Sequence, residues 1–232
     1  MKLIIVGMGG IGSHLIYPLF QYLNYNDTLL IKEVVLVDGD KFEEKNKKRQ
    51  MVTGIGKNKA VAAKEFYADE FTNLVITADP RYINTENIGE IIDNEDIILL
   101  CVDNNKTRQL VEEYCKTLDN FALISGGNEL YDGNVQIVVK KEGAYQTPGL
   151  TEQHPEIAAG TDRHPDELSC EELSVSGSPQ VSITNAAIAD AMRRILFGYL
   201  QEGIRYNEVY INLKNGNLRV EHIDKRIGLY CG

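Results

Sequence analysis

Near the N-terminus, Gly7-Met8-Gly9-Gly10-Ile11-Gly12 stands where an apolar run ends and helical spacing begins. Gly9 and Gly10 let a backbone come close to a phosphate. Gly12 allows tight packing of the helix on the strand, and the N–H groups at the helix start favour an anion. Asp38 closes the next apolar run, 26 residues after Gly12, where a carboxylate can accept from a ribose hydroxyl. Gly7, Gly9, Gly10, Gly12 and Asp38 therefore read as a nucleotide site. Alone they suit NAD or FAD as well as ATP, and a glycine turn without a ligand is the structural alternative.

A second group separates these options. Val37-Asp38-Gly39-Asp40 is followed by Asn46, by Arg49-Gln50, and by Gly56-Lys57-Asn58-Lys59-Ala60. Hydride transfer has no use for an Asn, an Arg and a Lys clustered after the second strand. A third group, Cys101-Val102-Asp103-Asn104-Asn105-Lys106-Thr107-Arg108, sits where the fourth apolar run gives way to a helix, at a carboxyl end of the kind that binds ligands in open α/β sheets. The aspartate pair, the Asn, the Arg-Gln, the downstream Gly-x-x-Lys and the Asp-Asn segment, in this order over residues 2–135, resemble the E1-like (ThiF/MoeB/HesA) adenylating enzymes.

The resemblance implies MgATP as cosubstrate, a homodimer, and adenylation of a carboxylate. The usual acceptor is the C-terminal glycine of a small ubiquitin-like or sulfur-carrier protein or peptide. Attack on the α-phosphate builds charge on phosphoryl oxygens, which Arg49 and Lys59 can stabilise. Asn46 can orient a phosphate or ribose oxygen, whereas Lys45, Lys47 and Lys48 read as solvated charges. Asp103 matches the family's magnesium-binding aspartate, and a hard oxygen ligand suits Mg²⁺; helix N-capping is its alternative role. Leu100 stands where the family often has a further aspartate.

The chain departs from the family pattern in places. Relatives often carry a helix before the glycine loop that supplies an arginine to the partner subunit's site; here that arginine is expected from elsewhere. The CxxC pairs that bind zinc in relatives do not occur among the four cysteines, Cys101, Cys115, Cys170 and Cys231, so no zinc is expected. Cys170 falls in a segment resembling the family's crossover loop, where a cysteine in some relatives attacks the adenylate. Its neighbours Glu167, Glu171 and Glu172 would raise a thiol pKa, and an ordinary loop cysteine is the alternative. Cys101 reads as strand core, Cys115 as helical and Cys231 as a tail thiol. His154-Pro155 and His164-Pro165 read as turns.

The elements that must position these groups alternate strand and helix. Strands are expected at 2–6, 33–38, 74–78, 97–102 and 121–125. Helices are expected at 12–25, kinked or shifted by Pro18, at 57–71 with Ala60, Val61, Ala63 and Phe66 inward, and at 104–118. This is the βαβ alternation of a Rossmann-like, mostly parallel α/β sheet with helices on both faces. A turn at Asp132-Gly133-Asn134 leads to a strand at 135–140. Residues 142–180 read as the crossover loop, 181–200 as a helix entered through Gly177-Ser178-Pro179-Gln180, and 207–213 and 218–223 as an antiparallel hairpin. The simplest organisation is one adenylation domain over 1–232, with a nucleotide-binding region over 1–135, the crossover loop over 142–180, and a C-terminal helix and hairpin over 181–232.

The net charge of −10 disfavours DNA and argues mildly against tRNA, though local donors and a metal can still hold ATP. No run reaches the roughly 20 apolar residues of a membrane span, and nothing reads as a signal peptide, so the expected compartment is the cytoplasm. Adenylation of a small carboxylate or a tRNA base, and a catalytically silent E1-like scaffold that binds a partner, are the alternative functions. An NAD oxidoreductase ranks last.

Overall fold

The computed structural model describes residues 1–51, 53–159 and 181–222. Nine strands form one sheet: β1 (Leu3–Val6), β2 (Glu33–Val37), β3 (Val75–Asp79), β4 (Ile97–Leu100), β5 (Phe121–Asn128), β6 (Asp132–Lys141), β7 (Ala144–Tyr145), β8 (Tyr206–Asn212) and β9 (Asn217–His222). Their order is β3-β2-β1-β4-β5-β6-β8-β9, with β7 paired to β6. The first five strands are parallel and the later pairings antiparallel, so the expected class, a parallel Rossmann-like sheet extended by antiparallel strands, is what the chain adopts.

Period-two alternation divides the core between two faces. Leu3 and Ile5 belong to one apolar cluster with residues of α1 (Gly10–Asn24), α2 (Lys59–Tyr67) and α7 (Ser182–Glu202). Ile4 and Val6 belong to the other, with α3 (Ile88–Ile91), α4 (Asn105–Cys115), α5 (Leu150–Gln153) and α6 (Pro155–Ala159). Both faces of the first strands are covered, which is why they read as unbroken apolar runs.

The register decides where the loops emerge. Asp79, Val37, Val6, Leu100 and Ser125 lie in one row across the parallel strands. One residue further along each strand come Asp38, the glycine loop at Gly7, and Cys101 just before Asp103. Chain order reverses between β1 and β4, so these segments flank the crevice at the switch point of the sheet.

Several element bounds differ from those expected. α1 runs unbroken from Gly10 to Asn24 with Pro18 inside it. Proline cannot supply the amide that residue 14 would receive, and the His14 carbonyl instead accepts from Arg193 Nη1 of α7 at 2.9 Å. α2 begins only at Lys59, because the Asn58 side chain caps it by accepting from the Val61 amide at 3.1 Å. Its inward face is Ala60, Ala63 and Tyr67, whereas Phe66 is 59% exposed. That position falls off the i, i+3, i+4, i+7 stripe. Asp132-Gly133-Asn134 is not a turn but the start of β6, with Gly133 opposite Asn128. Any Cβ on Gly133 would sit 2.3 Å from the Gly127 carbonyl oxygen, so the glycine serves a close strand approach.

The first stretch of the expected crossover loop carries β7, α5 and α6, anchored by the buried side chains of Leu150 and Ile157. Single-turn helices leave no periodicity to detect. The remainder of that loop, with Cys170 and His164, lies outside the described residues, as does Cys231. Among the described residues no helix is long and apolar enough to cross a membrane.

His154, expected only as a turn residue, does stand between α5 and α6, but its ring is a clasp. Nε2 lies 2.6 Å from Glu208 Oε1 on β8 and Nδ1 lies 2.9 Å from Glu156 Oε1. Glu208 is fully buried and also accepts from Asn134 Nδ2 at 2.6 Å and from Gln153 Nε2. The Glu208 hydrogen bond outweighs partial burial and raises the His154 pKa. A raised folded-state value means the stabilisation is complete below the unfolded value, near 6.5, and is lost as pH climbs through the folded one. His154→Gln should therefore lower the urea midpoint most at about pH 6 and progressively less above it. A gap between the two proteins that stays constant from about pH 6 to 9 would contradict the clasp.

Candidate nucleotide-binding site

The glycine loop is shaped by backbone crowding. A Cβ at Gly12 would lie 2.0 Å from the Gly7 carbonyl oxygen, so only glycine lets the first turn of α1 fold back on the end of β1. Asp38 ties this loop to the next strand. One oxygen accepts from the Met8 amide at 2.6 Å and the other from the Asp40 amide at 2.7 Å.

Behind this lies an ion cluster. Lys59, the first residue of α2, has a side chain only 7% exposed and its Nζ is 2.8 Å from Asp40 Oδ2. The other Asp40 oxygen accepts a short hydrogen bond from the Tyr82 hydroxyl. The Tyr82 ring packs directly over Gly39. Asn58 donates to the Asp38 carbonyl at 2.6 Å while capping α2, so one side chain sets both the strand end and the helix start that present Asp38 and Lys59.

Protonation follows burial and charge. Burial works against the Lys59 ammonium, but Asp38, then Asp40 and Asp103, outweigh it and raise its pKa. Burial likewise opposes the charged form of Asp40, yet Lys59 and the Tyr82 hydrogen bond hold its pKa low. For the more deeply buried Asp38 desolvation wins: its pKa is pushed up to about 6, with Lys59 pulling down and Asp40 pushing up. Two carboxylates share one ammonium, and the one least accessible to water takes a proton first.

Asp103 is exposed just past β4 and close enough to Lys59 to influence its charge. It is not the helix cap; Asn104 is, accepting from the Thr107 amide at 2.8 Å. Arg49 is half-buried and closes a short 3-10 helix over Glu44–Lys48. Asn46 is buried within that helix, its Oδ1 accepting from the Glu43 amide at 2.7 Å, so it shapes the loop leading to Arg49. Gln50 is buried beside Gly9, and its Oε1 has no partner among the described residues. Cys101 and Cys115 are buried core thiols; burial pushes the first far above the ordinary thiol value and the second up to about 12. Neither suits a nucleophile.

Glycine loop, Asp38, Asp40, Lys59 and Asp103 thus converge at one end of the sheet, with Arg49 and Gln50 beside the loop. Tyr82, Asn58 and Arg108 are partners that motif reasoning does not single out. Arg108 donates to the Val102 and Gly126 carbonyls at 2.8 and 3.1 Å, stapling the ends of β4 and β5. Only Asn58 carries a local signal, as a capping residue directly before a helical run.

A nucleotide-binding α/β fold with this cluster at its switch point has close counterparts. The chain belongs to the ThiF family, whose profile matches residues 1–226 and so extends well past residue 135. An "Adenylyltransferase and sulfurtransferase UBA4" from Candida albicans is 25% identical over 202 residues, covering 85% of this chain and 42% of that protein. A "SAMP-activating enzyme E1" from Haloferax volcanii is 26% identical over 148 residues, covering 62% of this chain and 52% of the relative. The chain thus spans about half or less of these relatives' lengths. Among solved structures, E. coli MccB with ATP superposes with a TM-score of 0.68 at 17% identity, over 96% of this chain and 63% of that one, a likeness of fold.

The charge on Asp38 can be tested with adenosine, which carries no phosphate to titrate. If ionised Asp38 accepts from the ribose, adenosine affinity should fall as pH drops through about 6, approaching tenfold per pH unit below it. Asp38→Asn should flatten that profile in calorimetric titrations. A wild-type profile already flat between about pH 5 and 7 would exclude the ionised acceptor.

Proposed function

We propose that the chain is an ATP-dependent adenylyltransferase that activates the C-terminal carboxylate of a small ubiquitin-like or sulfur-carrier protein or peptide. The observation that carries this reading is the buried Lys59 ammonium, bonded to Asp40 and lying in the fields of Asp38 and Asp103, beside the glycine loop. In the reaction the acceptor carboxylate oxygen bonds to the α-phosphorus, the bond from the α-phosphorus to the bridging oxygen breaks, and pyrophosphate leaves with its electron pair. No proton or redox partner is required. Lys59 and Arg49 stabilise negative charge on the phosphoryl oxygens, the glycine loop amides hold phosphate, and Asp38 takes the ribose. Asn46 shapes the approach of Arg49, and Gln50 offers a buried acceptor beside Gly9.

Asp103 supplies a hard oxygen donor that fits Mg²⁺ arriving on phosphate oxygens, whereas both Asp40 oxygens are engaged by Lys59 and Tyr82. Bound there, the ion would neutralise phosphate charge. The relatives' names, an adenylyltransferase and sulfurtransferase and an E1, support acyl adenylation and a protein acceptor. The same reading includes a homodimer, a cytoplasmic setting and a single adenylation domain over 1–232. Cys170 is its candidate thiol for a later covalent step: after losing its proton to solvent, the thiolate sulfur bonds to the adenylate carbonyl carbon and the carbon–oxygen bond to AMP breaks, leaving a thioester and free AMP.

The decisive measurement is ATP–pyrophosphate exchange with Mg²⁺, with and without candidate carrier proteins. Carrier-dependent exchange is the expected outcome; absence of both exchange and ATP binding would leave only a partner-binding scaffold. Asp103→Ala and Lys59→Ala should each reduce exchange by about 100-fold or more with the melting temperature of Asp103→Ala near wild type. Full exchange in Asp103→Ala would refute its metal role. Cys170→Ala should retain exchange and lose a thiol-cleavable adduct with the carrier; persistence of that adduct would acquit Cys170.

A further inference from the structure

Arg49 is placed by a side chain that no motif predicts. It follows a short 3-10 helix and precedes an irregular stretch tied down by two isolated bridges, Lys41 to Asn58 and Phe42 to Ile55. Locally, its amide bonds the Asn46 carbonyl at 3.0 Å. Its own carbonyl accepts from Asn185 Nδ2 of α7 at 3.0 Å, and the Arg49 backbone also bonds the His14 imidazole of α1.

Asn185 is fully buried and makes two further contacts. Its Oδ1 accepts from Asn128 Nδ2, at the end of β5, at 3.0 Å. Its amide also lies so close to the glycine loop that a Cβ on Gly10 would meet its three terminal atoms at 2.3 to 2.7 Å. The turn that carries it is itself anchored: the Asn185 amide bonds the Val181 carbonyl at 3.1 Å, and Ser182 Oγ lies 3.1 Å from His14 Nε2. One buried carboxamide thus joins the phosphate loop, the Arg49 backbone and the end of β5.

We propose that Asn185 is the positioning residue for Arg49, fixing its backbone at a set distance from the glycine loop so that the guanidinium meets a triphosphate without further ordering. The inference rests on the nucleotide-binding half of the adenylation reading. A long flexible side chain loses less freedom on binding when its backbone is already fixed. Asn185 acts through Arg49 and touches no substrate atom, so its effect must depend on phosphate and vanish without Arg49.

A thermodynamic cycle on the full chain tests this. MgATP and adenosine affinities are measured by calorimetry for wild type, Asn185→Ala, Arg49→Ala and the double variant, with Asn185→Ser read by the same criteria if Asn185→Ala melts early. Asn185→Ala should weaken MgATP about tenfold, leave adenosine within about twofold, and add less than about twofold in the Arg49→Ala background. Equal weakening of MgATP and adenosine, or a full tenfold effect that persists without Arg49, would overturn the assignment. A wild-type chain that binds no MgATP would overturn it together with the nucleotide reading. The expected cycle in a protein that shows no carrier-dependent exchange would support Asn185 and remove the carrier-protein acceptor alone.

Discussion

Lys59 is held in a place where an ammonium ion would ordinarily be unfavourable. Its head is withdrawn from water and survives as a cation because Asp40 bonds it directly and Asp38 and Asp103 add their fields. A buried charge of this kind is tolerable only when paired and hydrogen-bonded. Much of the site satisfies that condition. Asp38 is tied to the glycine loop, Asp40 to Tyr82, and Asn58 locks the helix bearing Lys59 to the strand bearing Asp38. The cluster holds more negative than positive formal charge, and burial, reinforced by Asp40, raises the pKa of its deepest carboxylate, Asp38, to about 6.

The same architecture fixes the two sides of the site by different kinds of contact. The nucleotide side is set by sheet register, by the close glycine packing that starts α1, and by the Asn58 and Asn104 caps of α2 and α4. Beyond β5, side-chain contacts add to the antiparallel pairing of β6, β8 and β9. Arg108 staples β4 to β5, and the His154–Glu208 clasp pins α5 and α6 to β8. Of the two, the His154 clasp responds to pH, whereas the Arg108 guanidinium stays charged throughout. α7 links the two sides, because Asn185 in its first turn bonds the Arg49 backbone on one and Asn128 at the end of β5 on the other.

Much of the site was legible in the chain before folding. The glycine spacing, Asp38, Asp40 and Asp103 lie just past strand ends, visible as apolar runs stopping at polar residues, and Lys59 opens the helical run that follows. Local capping was less legible: the helices expected from 57 and 104 begin at Lys59 and Asn105, capped by Asn58 and Asn104, whereas the cap suggested by the sequence is Asp103. Asn185, Tyr82 and Glu208 were not legible. Each is an ordinary residue within its own element and gains its role from a neighbour distant in sequence: Arg49 for Asn185, Asp40 for Tyr82 and His154 for Glu208.

By itself, the sequence determined the α/β alternation, the nucleotide-binding character and the ThiF resemblance, because these depend on periodicity and on short motifs whose members are close along the chain. The tertiary structure alone decided which charges are buried, which carboxylate takes the proton, and how Pro18 fits within α1 by passing the His14 carbonyl to Arg193. The physical reason is that desolvation and long-range hydrogen bonding belong to the packed state. No window of sequence contains both partners, and their energies arise only when folding removes the water between them.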